Sequence, residues 1–308
     1  MLMETKPEIV PKHEALWRYV ENARPEIETA LRTLLPVTSS NVETLFNEAL
    51  TYSLFPGGKR LRPILTLLGA EITGGTKENV MPAAAAIEYI HTSSLIFDDL
   101  PCMDNSNERR RKLSLHIKYS EGLAVLVALG LLNASYGLIF NCHAKDESLL
   151  IRAHSELVER IGSHGMVAGQ SIDLATANGT NKNSFSRDDF ETARNLKTSA
   201  LMRMALRVGA ILSDANESQL RALSQFADLI GDAYQTSDDL IDLQEDATIV
   251  VNASRTETIA LEKGTGNAKQ RVLDLTTNAK KVLIDEFGQN ESAKLLCEMA
   301  DYISERRS

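Results

Sequence analysis

Apolar residues recur three and four positions apart along nearly the whole chain, the period of helices that bury one face. The pattern predicts helices over 13–35, 40–54, 60–73, 79–100, 122–142, 148–176, 187–212, 216–243, 267–287 and 291–305. Breaks fall at Pro56-Gly57-Gly58, at Gly74-Gly75, and in the polar runs 177–186 and 246–266. Asp214 to Asn216 reads as a turn into an N-cap. No stretch alternates as a long strand would, and no linker rich in Gly, Ser or Pro divides the chain. Residues 1–308 are therefore expected to form a single all-α domain, one large helical bundle. The segment 123–140 stands apart, with 18 residues and no formal charge, the lower edge of a membrane span. It contains Gly130, Asn133, Ser135 and Gly137, and it lacks an aromatic belt or a flanking basic cluster. The expectation is no transmembrane span, but a helix buried in mid-bundle or at a subunit interface.

With 308 residues and 43% hydrophobic, the chain can bury a sizeable core, and 24% charged residues are ordinary for a soluble protein. Aromatics at 5%, with few Gly and Pro, argue against a β-sandwich, a fibre or a disordered chain. A net charge of −9 argues against a nucleic-acid partner. Cys102, Cys142 and Cys297 are widely spaced without a C-x-x-C pair. That excludes a disulfide scaffold and a cysteine-type zinc site, and fits a reducing compartment. The first eleven residues lack the apolar stretch of a secretory signal, so a cytoplasmic location is expected.

Two acidic clusters carry the candidate chemistry. The apolar segment 83–97 runs into Asp98-Asp99-Leu100-Pro101-Cys102-Met103-Asp104. Adjacent carboxylates there are costly unless they reach water or a cation. Pro101 bends the chain and could return Asp104 towards Asp98. In Asp238-Asp239-Leu240-Ile241-Asp242, Asp238 and Asp242 share one helix face and repel each other. Magnesium shared with a phosphate would offset that repulsion. Basic residues accompany both clusters. Gly57-Gly58-Lys59-Arg60-Leu61-Arg62-Pro63 sets cations at a helix start beside a flexible Gly pair, which suits a phosphate. Arg109-Arg110-Arg111-Lys112 follows the first acidic cluster and is a solvated charge run or one wall of an anion site. Glu88-x-x-His91 has the spacing of half a di-iron site, without a second Glu-x-x-His. Acidic faces and cations together suit a diphosphate pocket with an apolar floor.

At this point the chain resembles the trans-isoprenyl diphosphate synthases of the short-chain, geranylgeranyl or farnesyl type. Residues 57–63 resemble the family's isopentenyl diphosphate motif, and 98–105 its first aspartate-rich motif. Gly169-Gln170-x-x-Asp173 resembles its Gly-Gln-x-x-Asp element, and Lys197-Thr198 its Lys-Thr pair. Tyr234-Gln235-x-x-Asp238-Asp239-x-x-Asp242 resembles the second aspartate-rich motif. The resemblance implies the isoprenoid synthase type I fold, a bundle around a central apolar cavity, and a homodimer. It implies up to three Mg²⁺ held by Asp98, Asp104 and Asp238, with Asp99, Asp239 and Asp242 supporting the acidic shells. Arg109, Lys197, Thr198 and Gln235 would hold the allylic diphosphate. Lys59, Arg62, His91 and Arg110 would hold isopentenyl diphosphate. Ionisation of the allylic substrate gives a cation, which the second substrate's double bond attacks.

Farnesyl-type relatives carry a bulky aromatic five residues before the first Asp. Ser93 stands there, followed by Ser94, so a twenty-carbon product, geranylgeranyl diphosphate, is expected. The alternative reading of these serines is tight packing. The sequence departs from the family pattern in several places. Ser106 and Asn107 replace Asp-Asp, and 111–116 reads Arg-Lys-Leu-Ser-Leu-His in place of Gly-Lys-Pro-Thr-Asn-His. Phe97 replaces a common His, and Leu129 a helical Asp. Asn252 replaces the lysine fourteen residues after Asp238 that touches the allylic diphosphate in the family. Losing such a charged contact costs on the order of 1.5–3 kcal/mol. Two other readings therefore stand beside elongation: a diverged member that cyclises or otherwise couples a prenyl diphosphate, and a non-catalytic regulatory subunit of a heteromeric synthase.

Overall fold

The computed structural model describes residues 12–38, 44–177, 199–246 and 265–306. Lys197, Thr198 and Asn252 lie outside the described residues, as do the side chains of Asp239 and Asp242. Helices α1 (Glu14–Thr33), α2 (Thr44–Leu54), α3 (Leu61–Ile72) and α4 (Lys77–Asp99) lead to a short hairpin, β1 (Glu108–Arg109) and β2 (Lys112–Leu113). After it come α5 (Leu115–Lys118), α6 (Glu121–Leu138), a 3₁₀ turn at Ile139–Asn141, α7 (Glu147–Ile161) and α8 (Met166–Ala177). Then follow α9 (Ala200–Leu212), α10 (Glu217–Asp246), α11 (Thr265–Phe287) and α12 (Glu291–Glu305).

The all-α expectation holds, with one division the periodicity did not reveal. The single helix expected over 148–176 is two helices, α7 and α8. Between them Gly162 and Gly165 let the chain fold on itself. A Cβ on Gly165 would sit 1.8 Å from the Arg160 carbonyl oxygen, a turn only glycine fits. The apolar residues keep their helical spacing across this turn, so the pattern alone does not register it. Of the helix expected over 187–212, the described part is α9.

Helices α3, α4 and α9 are buried on nearly all sides and form the centre of the bundle. Gly69 and Gly209 let α3 and α9 cross at backbone distance. A Cβ on Gly69 would lie 2.2 Å from the Leu206 carbonyl oxygen, and one on Gly209 2.0 Å from that of Thr66. Leu61 and Leu65 lie by Met202, Gly69 meets Leu206 and Gly75 meets Ser213, a series that advances along both helices, so α3 and α9 run parallel. Helices α9 and α10 run antiparallel, because Gly231 meets Ser199, Arg203 pairs with Asp228 and Arg207 reaches Ser224. The short α3–α4 connection makes that pair antiparallel as well. Helices α4 and α10 therefore end where α3 and α9 begin. Arg62, the Asp98-Asp99 pair and the Tyr234–Asp238 stretch meet at one end of the bundle for that reason.

The uncharged segment is not buried in mid-bundle. Helix α6 buries Ala124, Val127, Ala128, Leu131, Ser135 and Leu138, and it packs chiefly on α4. Val125, Leu126 and Leu129 on its other side are exposed. By length and composition the span Glu121–Asn141 could cross a membrane, but 39% of its most apolar window is buried against the rest of the chain.

Candidate active site

Asp98 and Asp99 end α4, and the chain then turns back on itself. The Asp104 N–H donates to the Asp98 carbonyl at 2.9 Å, Met103 N–H to Leu100, and Ser106 N–H to Asp99. The bend after Pro101 thus returns Asp104 to Asp98, as the sequence suggested. Asp98 is half-buried and Asp104 exposed, so both can face solvent or a ligand. Asp99 is buried and is held by Arg109, whose Nε and Nη2 reach its Oδ1 at 2.9 and 2.5 Å. The Asp99 bond, reinforced by the charges of Asp98 and Asp104, raises the Arg109 pKa. Asp99 is therefore the anchor that aims Arg109 across the first acidic motif.

Arg109 is placed by the two-residue hairpin, in which Arg109 pairs with Lys112. Arg110 and Arg111 form its turn, with φ of 54° and 61°. Both are left-handed, the geometry of a tight hairpin that normally selects Asn-Gly. Two arginines here oppose local preference by roughly 1 kcal/mol or more each. The Arg110 guanidinium lies over Gly58, where a Cβ would come within 3.1 Å of its Nη2.

A cationic pocket lies beside this turn. Arg62, in the first turn of α3, donates from Nη1 to His91 Nε2 at 3.1 Å. A guanidinium can only donate, so the neutral imidazole carries its proton on Nδ1. Burial first, then Arg62 and Arg110, push the His91 pKa well below the ordinary histidine range. His91 Nδ1 and Arg62 Nε are buried donors without a hydrogen-bond partner among the described residues. A buried unpaired donor costs about 1–3 kcal/mol, so two of them beside Arg110 suit an anion that supplies acceptors. Lys59, exposed next to Gly58, donates to the Tyr302 hydroxyl at 2.6 Å. Arg60, by contrast, is buried against Glu28 and Glu88 and is structural. With the Glu88 carboxylate held by Arg60 at 2.6 Å, the di-iron reading loses its first ligand.

The second acidic motif begins one turn beyond Tyr234. Arg62 bonds His91 of α4 and lines one hollow with Tyr234 of α10, so it stands between the two helices. Asp238 is half-buried and ion-paired with Arg306, a residue just past α12. Gln235 is half-buried in the same turn. From α8, Gln170 reaches Met103 in the first acidic loop, Nε2 to Sδ at 3.9 Å. An apolar hollow lined by Leu61, Leu65, Met202, Ile230 and Met299 lies against Arg62 and Tyr234. Among the described residues, no three Asp, Glu, His or Cys side chains form a ready metal cage.

The Polyprenyl synthetase family model matches residues 43–294, most of the chain. The chain belongs to the polyprenyl synthetase family. Geranylgeranyl pyrophosphate synthase, chloroplastic, of Capsicum annuum is 36% identical over 94% of this chain and 78% of its own length. The crystal structure of an FPP/GFPP synthase from Zymomonas mobilis aligns with a TM-score of 0.83 at 30% identity, covering 95% of this chain and 99% of the other. A geranyltransferase from Legionella pneumophila aligns at 0.82 and 26% identity, covering 96% and 98%.

Ser93 and Ser94, expected from the sequence to bear on chain length, lie in the C-terminal half of α4. The Ser93 hydroxyl donates to the Ala128 carbonyl of α6 at 2.9 Å, and Ser94 to that of His91. Ser93 is fully buried, so its small size also sets how closely α6 approaches α4. Three residues near the family motifs were not singled out by sequence: Tyr302, Arg306 and Trp17, which packs edge-on against Tyr302 at 5.0 Å. They lie at the two ends of the chain, and nothing local marks them.

Proposed function

We propose that this chain condenses isopentenyl diphosphate with an allylic prenyl diphosphate and releases geranylgeranyl diphosphate. The observation that carries the reading is the Arg62–His91 pair, with two buried donors that lack a partner among the described residues; Arg110 and Lys59 would complete an anion site with it. A cyclase needs one diphosphate site, whereas these cations would form a second one beside that of Asp98, Asp104 and Asp238. Arg62 Nε and His91 Nδ1 would donate to the isopentenyl diphosphate oxygens. Neutral His91 binds as a donor without adding charge. Arg109, aimed by Asp99, would take the allylic diphosphate and stabilise the charge that builds on it as the C–O bond breaks. Gln235, Lys197 and Thr198 would hold the same substrate, with Asp239 and Asp242 completing the second acidic face. The apolar hollow at α3, α9 and α10 supports exclusion of water from an allylic cation. Small Ser93 and Ser94 favour a chain longer than fifteen carbons.

Magnesium fits the acidic faces. The ion keeps several waters and takes one or two carboxylates plus substrate phosphate oxygens, so an incomplete cage is the arrangement expected. Asp98 and Asp104, brought together by the bend, would hold it on one side and Asp238 on the other, with up to three ions. When bound, magnesium would supply positive charge to the leaving diphosphate.

Incubation of the purified full chain with labelled isopentenyl diphosphate and C5, C10 or C15 primers tests the reading. A labelled C20 product is expected. Primer consumption without incorporation of label would identify a cyclase. Inactivity alone, with altered product length on mixing with an active synthase, would identify a regulatory subunit.

The exposed apolar strip of α6, continuing through Phe140 to Ile151 and Val158 of α7, supports a homodimer. The three free cysteines support a cytoplasmic location, and the acidic net charge supports the absence of a nucleic-acid partner.

A further inference from the structure

We propose that Arg306 is the resident counter-ion of Asp238, and that a divalent metal competes with it for this carboxylate. The inference rests on the reading of Asp238 as a metal ligand. Arg306 Nη2 meets Asp238 Oδ1. Its Nε donates to Ser237 Oγ at 3.1 Å, and Nη2 also reaches the Tyr234 carbonyl at 3.3 Å. The guanidinium carbon stacks 3.7 Å above the centre of the Tyr234 ring. The arginine side chain is 6% exposed and the aspartate 48%. The cation is thus the more buried partner and the carboxylate the more exposed one.

The end of α12 keeps Arg306 in place. Its N–H donates to the Tyr302 carbonyl at 3.0 Å. One turn back, the Tyr302 hydroxyl accepts from Lys59, and its ring packs on Trp17. One helix end therefore touches both the cationic pocket and the second acidic motif. Arg306 can surrender Asp238 and still keep Ser237, the Tyr234 carbonyl and the Tyr234 ring. A guanidinium bonded to a carboxylate reduces the negative potential that attracts a metal. Arg306 accordingly weakens metal binding to the empty pocket. A diphosphate, which adds its own negative oxygens, shifts the balance towards the metal. Arg306 would thereby hold Asp238 in the substrate-free chain and yield it when a diphosphate is bound.

The test is Mn²⁺ binding to the substrate-free full chain, read by electron paramagnetic resonance. Arg306→Gln is expected to bind Mn²⁺ alone about three- to tenfold more tightly than the unmodified chain. Inorganic diphosphate should narrow the difference. Arg306→Met, which keeps bulk over Tyr234, should behave like Arg306→Gln, and Arg306→Lys should stay near the unmodified chain. Circular dichroism and the emission of Trp17, the single tryptophan, report whether α12 stays docked. If Arg306→Gln and Arg306→Met bind as the unmodified chain does while Asp98→Asn binds more weakly, the competition is disproved and the metal reading stands. If Mn²⁺ fails to bind even with diphosphate, the metal reading falls and takes the proposal with it.

Discussion

At the residue scale, the chemistry depends on groups held in states they would not adopt in water. His91 is kept neutral by burial and by the surrounding arginines, well below the ordinary histidine pKa. The unfolded chain titrates this ring near pH ~6.5, whereas the folded chain does not. Below that pH the unfolded state binds the extra proton, so stability falls as pH falls. The contribution is present above the unfolded pKa and declines by up to about 1.4 kcal/mol per pH unit below it. Thermal melting of the ligand-free chain should therefore drop between pH 7 and pH 5, and His91→Gln should drop less steeply. Parallel curves for the two proteins would refute this account of His91. Gly58 offers a second test at this scale. A methyl group there crowds Arg110 at 3.1 Å. Gly58→Ala should raise KM for isopentenyl diphosphate by roughly tenfold, the loss of one charged hydrogen bond. Its kcat and the allylic KM should change little, and equal effects on both substrates would show that the pocket is not specific. The residue types of this site were readable from the sequence, but their partners were not. Asp99–Arg109 depends on a hairpin turn that arginines disfavour, and Asp238–Arg306 joins residues 68 positions apart.

At the element scale, the helices follow from spacing, and their packing follows from residues that spacing ignores. The last helix matches its expected bounds, 291–305, because Asn290 caps it: its Oδ1 accepts from the Ala293 N–H at 2.7 Å. The division of 148–176 escaped detection because Gly162 and Gly165 act through conformation and not through polarity. The α3–α9 crossing escaped for a related reason. Glycine in mid-helix reads as a local weakness of about 1 kcal/mol, yet here it sets interhelical distance. A methyl group on Gly69 or Gly209 would meet a backbone carbonyl at 2.2 or 2.0 Å, and no side-chain rotation relieves that. Each Gly→Ala change should cost on the order of 1–3 kcal/mol, the usual penalty of overpacking, despite the gain in helix propensity. Among the described residues, nothing lies within 4 Å of a Cβ on Gly137 in α6. Gly137→Ala should instead gain up to about 1 kcal/mol. Urea unfolding of the three variants checks the contrast, and equal midpoints would show that α3 and α9 have slack.

At the scale of the whole molecule, the composition anticipated a buried core and the periodicity anticipated one bundle, but neither could say which apolar face stays outside. Helix α6 has enough apolar residues to look buried on all sides. It buries only the face against α4, because Ala124 and Ala128 allow a close approach there while Val125, Leu126 and Leu129 point away. Phe140 extends the strip, in a tilted ring contact with His154 at 5.3 Å, and Ile151 and Val158 continue it along α7. Water would order along so large an apolar strip at a free-energy cost of about 25 cal/mol per Å². A second copy of the same strip, related by a two-fold axis, would remove that cost for both chains. The chain, at 33.9 kDa, should therefore run at about twice that mass in light scattering after gel filtration. Leu126→Glu combined with Leu129→Glu places like charges in the strip and should convert the dimer to a monomer, since buried charges without partners are strongly unfavourable. The far-ultraviolet circular dichroism should not change, because both side chains face away from the α4 contact. A variant that remains dimeric would move the subunit interface elsewhere on the molecule. A monomer that keeps the product length of the parent would show that each bundle holds a complete site, with Asp98, Asp104, Asp238 and the Arg62–His91 pocket all supplied by one chain.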